Sequence, residues 1–213
     1  PEFNTKADAK ELDAYTEEVM TKHVSGRLKV APEHSSDPVL KLMRKPSFKY
    51  FHMFKDRFDK INIRKKLNLQ LIPYFISNHP ACEVEDMANL AAETKDMGFQ
   101  LEQVQGFTPT PMTVATVIYY SGYHPYTLKP TRTPKSKHEK EEQHRFFFWY
   151  KRENQAWIRN TLTKVGRQDL LQKLLPTTNS WKKNKGEKVK NTFDDAIPFT
   201  SRKKKKFNKK KKT

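Results

Sequence analysis

"LQLIPYFISNHPACEVEDM", residues 69–87, decides how the rest of the chain is read. Residues 69–77 are apolar and aromatic enough for a buried strand, although Pro73 removes one ladder donor and argues against it. Asn78-His79-Pro80 then makes a tight turn. Glu83, Glu85 and Asp86 follow as the acidic first turn of a helix, where carboxylates favour the helix dipole. A strand that turns directly into a helix is half of a β-α-β unit, and such units build parallel sheets.

The same unit recurs on both sides. "RLKVA", 27–31, reads as a strand, "PEHSSDP" as a turn, and Pro38 as the first residue of a short helix (38–45) capped by Asp37. Residues 100–108 read as a third strand and 112–122 as a helix stopped by Gly122. Between the first two strands lies the clearest amphipathic helix, 48–67, with Phe48, Phe51, Phe58 and Ile61 near one line. Residues 7–23 form a first helix. Residues 83–97 form another, with Met87, Leu90, Ala91 and Thr94 on one side. The expected fold class is therefore α/β, with three parallel strands joined by right-handed crossovers.

Beyond residue 123 the pattern changes. Residues 124–140 are rich in Pro, Thr and Lys. Residues 140–166 read as one helix or two, packed by Phe147, Trp149, Tyr150, Trp157 and Leu162, with Phe147 directed inward to Trp157 or nearby residues. Residues 168–176 make a last short helix. From 177 the chain is polar and lysine-rich, a composition that predicts disorder. The expected organisation is an α/β unit over 1–130, a helical region over 131–176 and a basic tail over 177–213.

Of the 213 residues, 35% are hydrophobic and 31% charged, and the net charge is +18. Half of that charge sits in "SRKKKKFNKKKKT", 201–213. The single cysteine excludes an intramolecular disulfide framework, a cysteine-ligated zinc site and a four-cysteine iron–sulfur cluster made by this chain alone. A lone thiol fits a reducing, cytoplasmic location. The longest stretch free of charged residues, 103–128, is interrupted by Pro109, Pro111 and Pro125 and is not a membrane span. A phosphate cradle needs clustered glycines and a free helix N-terminus. Here the turn 77–83 has no glycine and is followed by acids. That argues against a P-loop or dinucleotide fold and leaves room for a ligand with a nucleoside and a positive centre.

In parallel sheets, ligands sit beyond the carboxyl ends of the strands. Three such ends occur: "APEH" at 31–34, "SNHP" at 77–80 and "FTPTP" at 107–111. Around them, "HVSGRLKVAPEHSSDPVLKLMRKPS", "LIPYFISNHPACEVEDMANLA" and "QVQGFTPTPMTVATVIYYSG" resemble consecutive blocks of the YgiQ-type radical SAM proteins. The resemblance runs from about residue 10 to 176. It implies the C-terminal half of a partial (β/α)6 radical SAM barrel with parallel strands, followed by an α-helical appendage and a disordered basic tail. The turn is also similar to the broader Gly-x-Pro-Gly pattern of radical SAM enzymes, with Asn78 and Ala81 in the glycine positions. By this resemblance S-adenosylmethionine lies across the strand tips. Glu33 and His34 would contact its ribose or amino-acid end, Ser77 and Asn78 would border the adenine, and Pro109 and Thr110 would complete the rim. The [4Fe–4S] cluster of such enzymes sits on a three-cysteine loop that this chain lacks. The resemblance therefore implies a cluster-bearing N-terminal segment as partner, and no cofactor bound to the chain by itself.

A second reading is a non-enzymatic, nucleic-acid-associated basic module. Lys203, Lys204, Lys205, Lys206, Lys209, Lys210, Lys211 and Lys212 would attract RNA by counterion release. Without arginine forks, and with only Phe207 to stack, they would not read bases. The aromatic run "RFFFWY", 145–150, reads as core, and Cys82 as a small buried residue. The strand 27–31 is expected to have a bare outer edge.

Overall fold

The computed structural model describes residues 9–101 and 104–176. The tail from 177, its lysines and its expected disorder lie outside the described residues. The elements are α1 (Ala9–Glu18), a π-helical turn (Val19–His23), β1 (Arg27–Glu33), α2 (Asp37–Leu42), α3 (Lys49–Arg64), β2 (Gln70–Ser77), α4 (Val84–Asp96), β3 (Val104–Gly106), α5 (Val114–Ser121), α6 (Lys137–Phe147), α7 (Arg152–Lys164) and α8 (Gln168–Leu174).

The α/β class and the parallel sheet agree with the sequence reading: the strand order is β1-β2-β3, and both neighbouring pairs are parallel. Pro73 lies inside β2, opposite Val30 of β1. Among the described residues β3 joins β2 only from Phe75 onward. The missing donor of Pro73 thus falls where the ladder is one-sided. Along β2, Leu71, Pro73, Phe75 and Ser77 are buried in strict alternation. Gln70 opens the strand just after a two-way clamp. The Asn62 side-chain amide donates to the Leu69 carbonyl at 3.0 Å, and its oxygen accepts from the Leu69 N–H at 3.2 Å. That clamp ties the end of α3 to the start of β2.

One hydrophobic cluster joins the elements. Phe51 and Phe58 of α3, Phe75 of β2, Met87 and Leu90 of α4, Phe146 of α6 and Ile158 of α7 all belong to it. Phe75 meets Phe48 at 6.2 Å and Phe51 edge-on at 6.5 Å. Each fully buried side chain of this size contributes about 1.5–3 kcal/mol by leaving water. The expected inner face of α4 is observed: Met87, Leu90, Ala91 and Thr94 are all buried. Ion pairs from Arg57 to Asp13, and from Arg64 and Lys65 to Glu17, align α1 with α3. Those pairs hold the Glu17 carboxyl below its usual range, the Lys65 hydrogen bond first among the causes.

Several boundaries differ from expectation. The cap of α2 is Ser36, and Asp37 is already helical. The first helix ends in a π turn, with Met20 buried within it. The helical stretch after 140 is two helices, because the backbone leaves the helical region at Phe148. Phe146 meets Trp157, edge-on at 5.4 Å, while Phe147 packs inward against its neighbour His144. Both phenylalanines are nonetheless core, as the helical spacing implied.

β1 is an edge strand, and no described strand lies beyond it. Exposed Arg27 and Lys29 blunt that edge only in part. The isolated chain is expected to self-associate through it. Sedimentation velocity over a hundredfold concentration range should show a rising weight-average mass, and a constant monomer would refute the expectation.

Candidate functional site

The turn after β2 has a backbone that side chains resist. Asn78 and Ala81 both lie in the left-handed region, at φ 64° and 69°. These are the two glycine-like positions noted in the sequence, so the turn keeps a glycine backbone with non-glycine residues. Asn is among the residues that tolerate this region best; Ala is not. The strain is opposed by hydrogen bonds from distant residues. Gln143 of α6, 1% exposed, accepts from the Asn78 N–H at 2.8 Å and donates to the Cys82 carbonyl at 2.7 Å. The Ala81 N–H donates to the Arg132 carbonyl at 2.8 Å. Glu83 then caps α4 reciprocally with Asp86.

Two clefts flank this turn. The first has a volume of about 500 Å³ at the carboxyl ends of the strands and is lined by Glu33, Arg44, Lys45, His79, Gly106, Phe107 and Thr110, among others. Glu33, at φ 68°, follows the register shift in β1, and its carboxylate pairs with Lys45 at 2.9 Å. His79 is buried, its Nδ1–H donates to the Pro80 carbonyl at 2.9 Å, and its ring packs edge-on against Phe107. Burial lowers its pKa, so it is neutral at pH 7. A Cβ on Gly106 would come within 3.1 Å of the Asn78 side-chain nitrogen, so this glycine keeps the wall thin.

The second cleft, about 450 Å³, lies on the other side of Asn78 and is lined by Asn78, Lys135, Lys137, Lys140, Glu141 and His144.

The sequence-derived candidates are distributed as follows. Glu33 and Thr110 share the first cleft. Pro109 lies between the lining residues Thr108 and Thr110 without lining it itself. Ser77 is buried at the tip of β2, and its hydroxyl has no hydrogen-bond partner; the same is true of the Asn78 side-chain oxygen. The Asn78 side chain lines the second cleft. His34 reaches neither cleft. Its ring is 0% exposed, Nδ1 accepts from the Ser36 N–H at 3.0 Å, and Nε2 lies 3.4 Å from the Cys82 sulfur. Burial pushes the His34 pKa down to about 4 and the Cys82 thiol well up. Cys82 is thus an inert, buried thiol. Arg44, Lys45, His79 and Phe107 were not anticipated. Of these, His79 and Phe107 had a local signal, since both stand in strand-end segments singled out in the sequence.

Among the described residues no group of three His, Cys, Asp or Glu side chains is placed to hold a metal ion, and no helix is long and apolar enough to cross a membrane. No solved structure matches the chain at a significant level. A family described as a domain of unknown function, DUF3362, matches residues 102–212. A "UPF0313 protein" from Porphyromonas gingivalis is 59% identical over 84% of this chain and 28% of its own length. A second, from Bacteroides thetaiotaomicron, is 60% identical over 78% of the chain and 27% of its own length. A third, from Methanocella arvoryzae, is 41% identical over 75% of the chain and 26% of its own length. The chain therefore spans little more than a quarter of the length of these curated relatives. By the match over more than half its length, the chain belongs to the DUF3362 family, and its relatives carry the name UPF0313 protein.

Proposed function

We propose that this chain forms the distal half of a partial (β/α)6 barrel in a radical SAM enzyme, and that its first cleft receives S-adenosylmethionine. The observation that carries the reading is the position of that cleft. It opens at the carboxyl ends of parallel strands, with Glu33 on one side and Thr110 on the other. The residues fit such a ligand in three respects. The volume lies within the range of small-molecule sites. Phe107 offers an aromatic wall. The buried, unpartnered Ser77 hydroxyl lies 4.0 Å from the Cβ position of Gly106, which lines the cleft. Glu33, fixed by Lys45, is suited to accept from ribose hydroxyls or an ammonium group, and neutral His79 holds the Phe107 face in place.

A [4Fe–4S] cluster does not fit these residues. Its iron needs several thiolates, and Cys82 is one buried thiol that resists ionisation. In this reading the cluster belongs to a segment of the longer protein outside these residues. The chain's part is to bind and orient the cofactor and substrate over the strand tips.

The test uses the longer protein that carries this chain. After anaerobic reconstitution with iron and sulfide, it should show cluster absorbance and saturable S-adenosylmethionine binding. Glu33→Ala should remove the carboxylate that lines the cleft and weaken that binding about tenfold while leaving the absorbance intact. The present chain should develop no cluster absorbance. A longer protein that binds no S-adenosylmethionine, or a chain that forms the cluster unaided, would overturn the proposal.

A further inference from the structure

We infer that the second cleft and the adjoining end of α5 form a binding groove for single-stranded nucleic acid. The cleft presents Lys135, Lys137 and Lys140 against one carboxylate, Glu141, which itself lies 3.7 Å from Lys137. Burial lowers the pKa of His144, so it adds a neutral ring rather than a charge at pH 7. Two of the lysines are anchored to tyrosines. Lys135 donates to the Tyr120 carbonyl at 3.2 Å, and Lys140 donates to the Tyr119 hydroxyl at 2.8 Å. Tyr120 stands edge-on to Tyr119 at 5.3 Å and is 69% exposed. A large exposed ring beside the tethered ammonium groups of Lys135 and Lys140 matches the combination that single-stranded nucleic acid requires: cations for phosphates and a flat face for a base.

Asn78 supplies an independent observation. It is 6% exposed, it lines this cleft, and its side-chain oxygen lacks a hydrogen-bond donor. A buried acceptor left without a donor costs about 1–3 kcal/mol. Turned toward the cleft, it would be satisfied by a base N–H or a ribose hydroxyl; a bare inorganic anion would not satisfy it. That chemistry separates this groove from the lysine-rich tail, which offers charge without recognition. The occupant is therefore a polyanion with stackable rings and N–H or O–H donors.

The experiment is fluorescence anisotropy of the full chain with labelled oligouridylate and oligothymidylate of about twelve nucleotides, with heparin as a competing polyanion, across a salt series. Tyr120→Ala should weaken oligonucleotide binding about tenfold with little change in salt slope. Replacing Lys135, Lys137 and Lys140 together by glutamine should reduce the magnitude of the log–log slope by about 2, from about 0.7 per phosphate. Tyr120 and Lys137 are exposed, and glutamine keeps an amide donor at 135 and 140, so circular dichroism and melting temperature should stay near those of the parent chain. Tighter binding of the RNA probe would assign the Asn78 acceptor to a ribose hydroxyl, and equal binding to a base; either supports the groove. Unchanged affinity in both variants, with all binding lost on deleting 201–213, would overturn it. So would heparin displacing the probe from parent and Tyr120→Ala chains at equal concentrations.

Discussion

Replacing Gln143 by leucine is expected to lower the unfolding free energy by about 2–5 kcal/mol, although leucine is apolar and comparable in size. Gln143 is 1% exposed and completes two hydrogen bonds inside the protein, to the Asn78 N–H and to the Cys82 carbonyl. Leucine leaves a backbone donor and a backbone acceptor buried without partners, and each carries the full desolvation penalty of about 1–3 kcal/mol. The turn they belong to already holds two non-glycine residues at positive φ. Losing its outside support therefore also releases backbone strain as movement. Gln143→Glu is a sharper probe. Ionised, it keeps an acceptor for Asn78 but has no donor for Cys82 and buries a charge, and regaining that donor requires taking up a proton. In urea, with a slope of about 1–3 kcal/mol per molar, either variant should move the midpoint down by about 1–2 M at unchanged slope. An unaltered midpoint would mean that Gln143 does not hold the turn. Because His79 sits in the same turn and lines the first cleft, ligand binding there should weaken together with stability.

The sequence made the local chemistry legible and left the distant chemistry hidden. Phe51, Phe58 and Ile61 declare their buried face by spacing, and α3 follows. The acids at 83, 85 and 86 announce the start of α4 before any partner is known, and the capping pair Glu83–Asp86 bears them out. Pro73 pulled the other way, since propensity cannot show that the ladder beside it is one-sided. Gln143 could not have been found at all. It is an ordinary polar residue in "KEEQHRFF", and its importance arises because α6 brings it to a turn more than sixty residues earlier. The same limit explains the split between the two clefts. Successive side chains leave the tip of β2 in different directions, so His79 belongs to one cleft and Asn78 to the other. His34 was selected for its place at a strand end, but its ring turned inward to Cys82. Position in the chain predicted which loops meet; it did not predict which way each side chain points.

That inward ring gives the protein an acid sensitivity. His34 is fully buried and uncharged, and burial lowers its pKa from about 6.5 to about 4. Its surroundings are not built for a cation. Nδ1 accepts from the Ser36 N–H, which protonation would forbid, while the Asp86 carboxylate only partly offsets the desolvation. The folded state thus binds a proton less readily than the unfolded chain, and stability must fall as pH drops through the interval between the two values. The full contribution is present above pH 6.5. By pH 5 about 2 kcal/mol is lost, and the loss levels off near 3 kcal/mol once pH is below about 4. Carboxylates also titrate there, so the informative quantity is a difference between two proteins. His34→Gln can still accept from Ser36 but cannot take up a proton. It is expected to start less stable at pH 7.5 and to lose less on acidification. Its stability curve should converge on that of the parent chain between pH 6.5 and 4.5, measured by urea unfolding at each pH. Parallel curves would show that His34 titrates normally and is reached by water, which its burial against Cys82 does not allow.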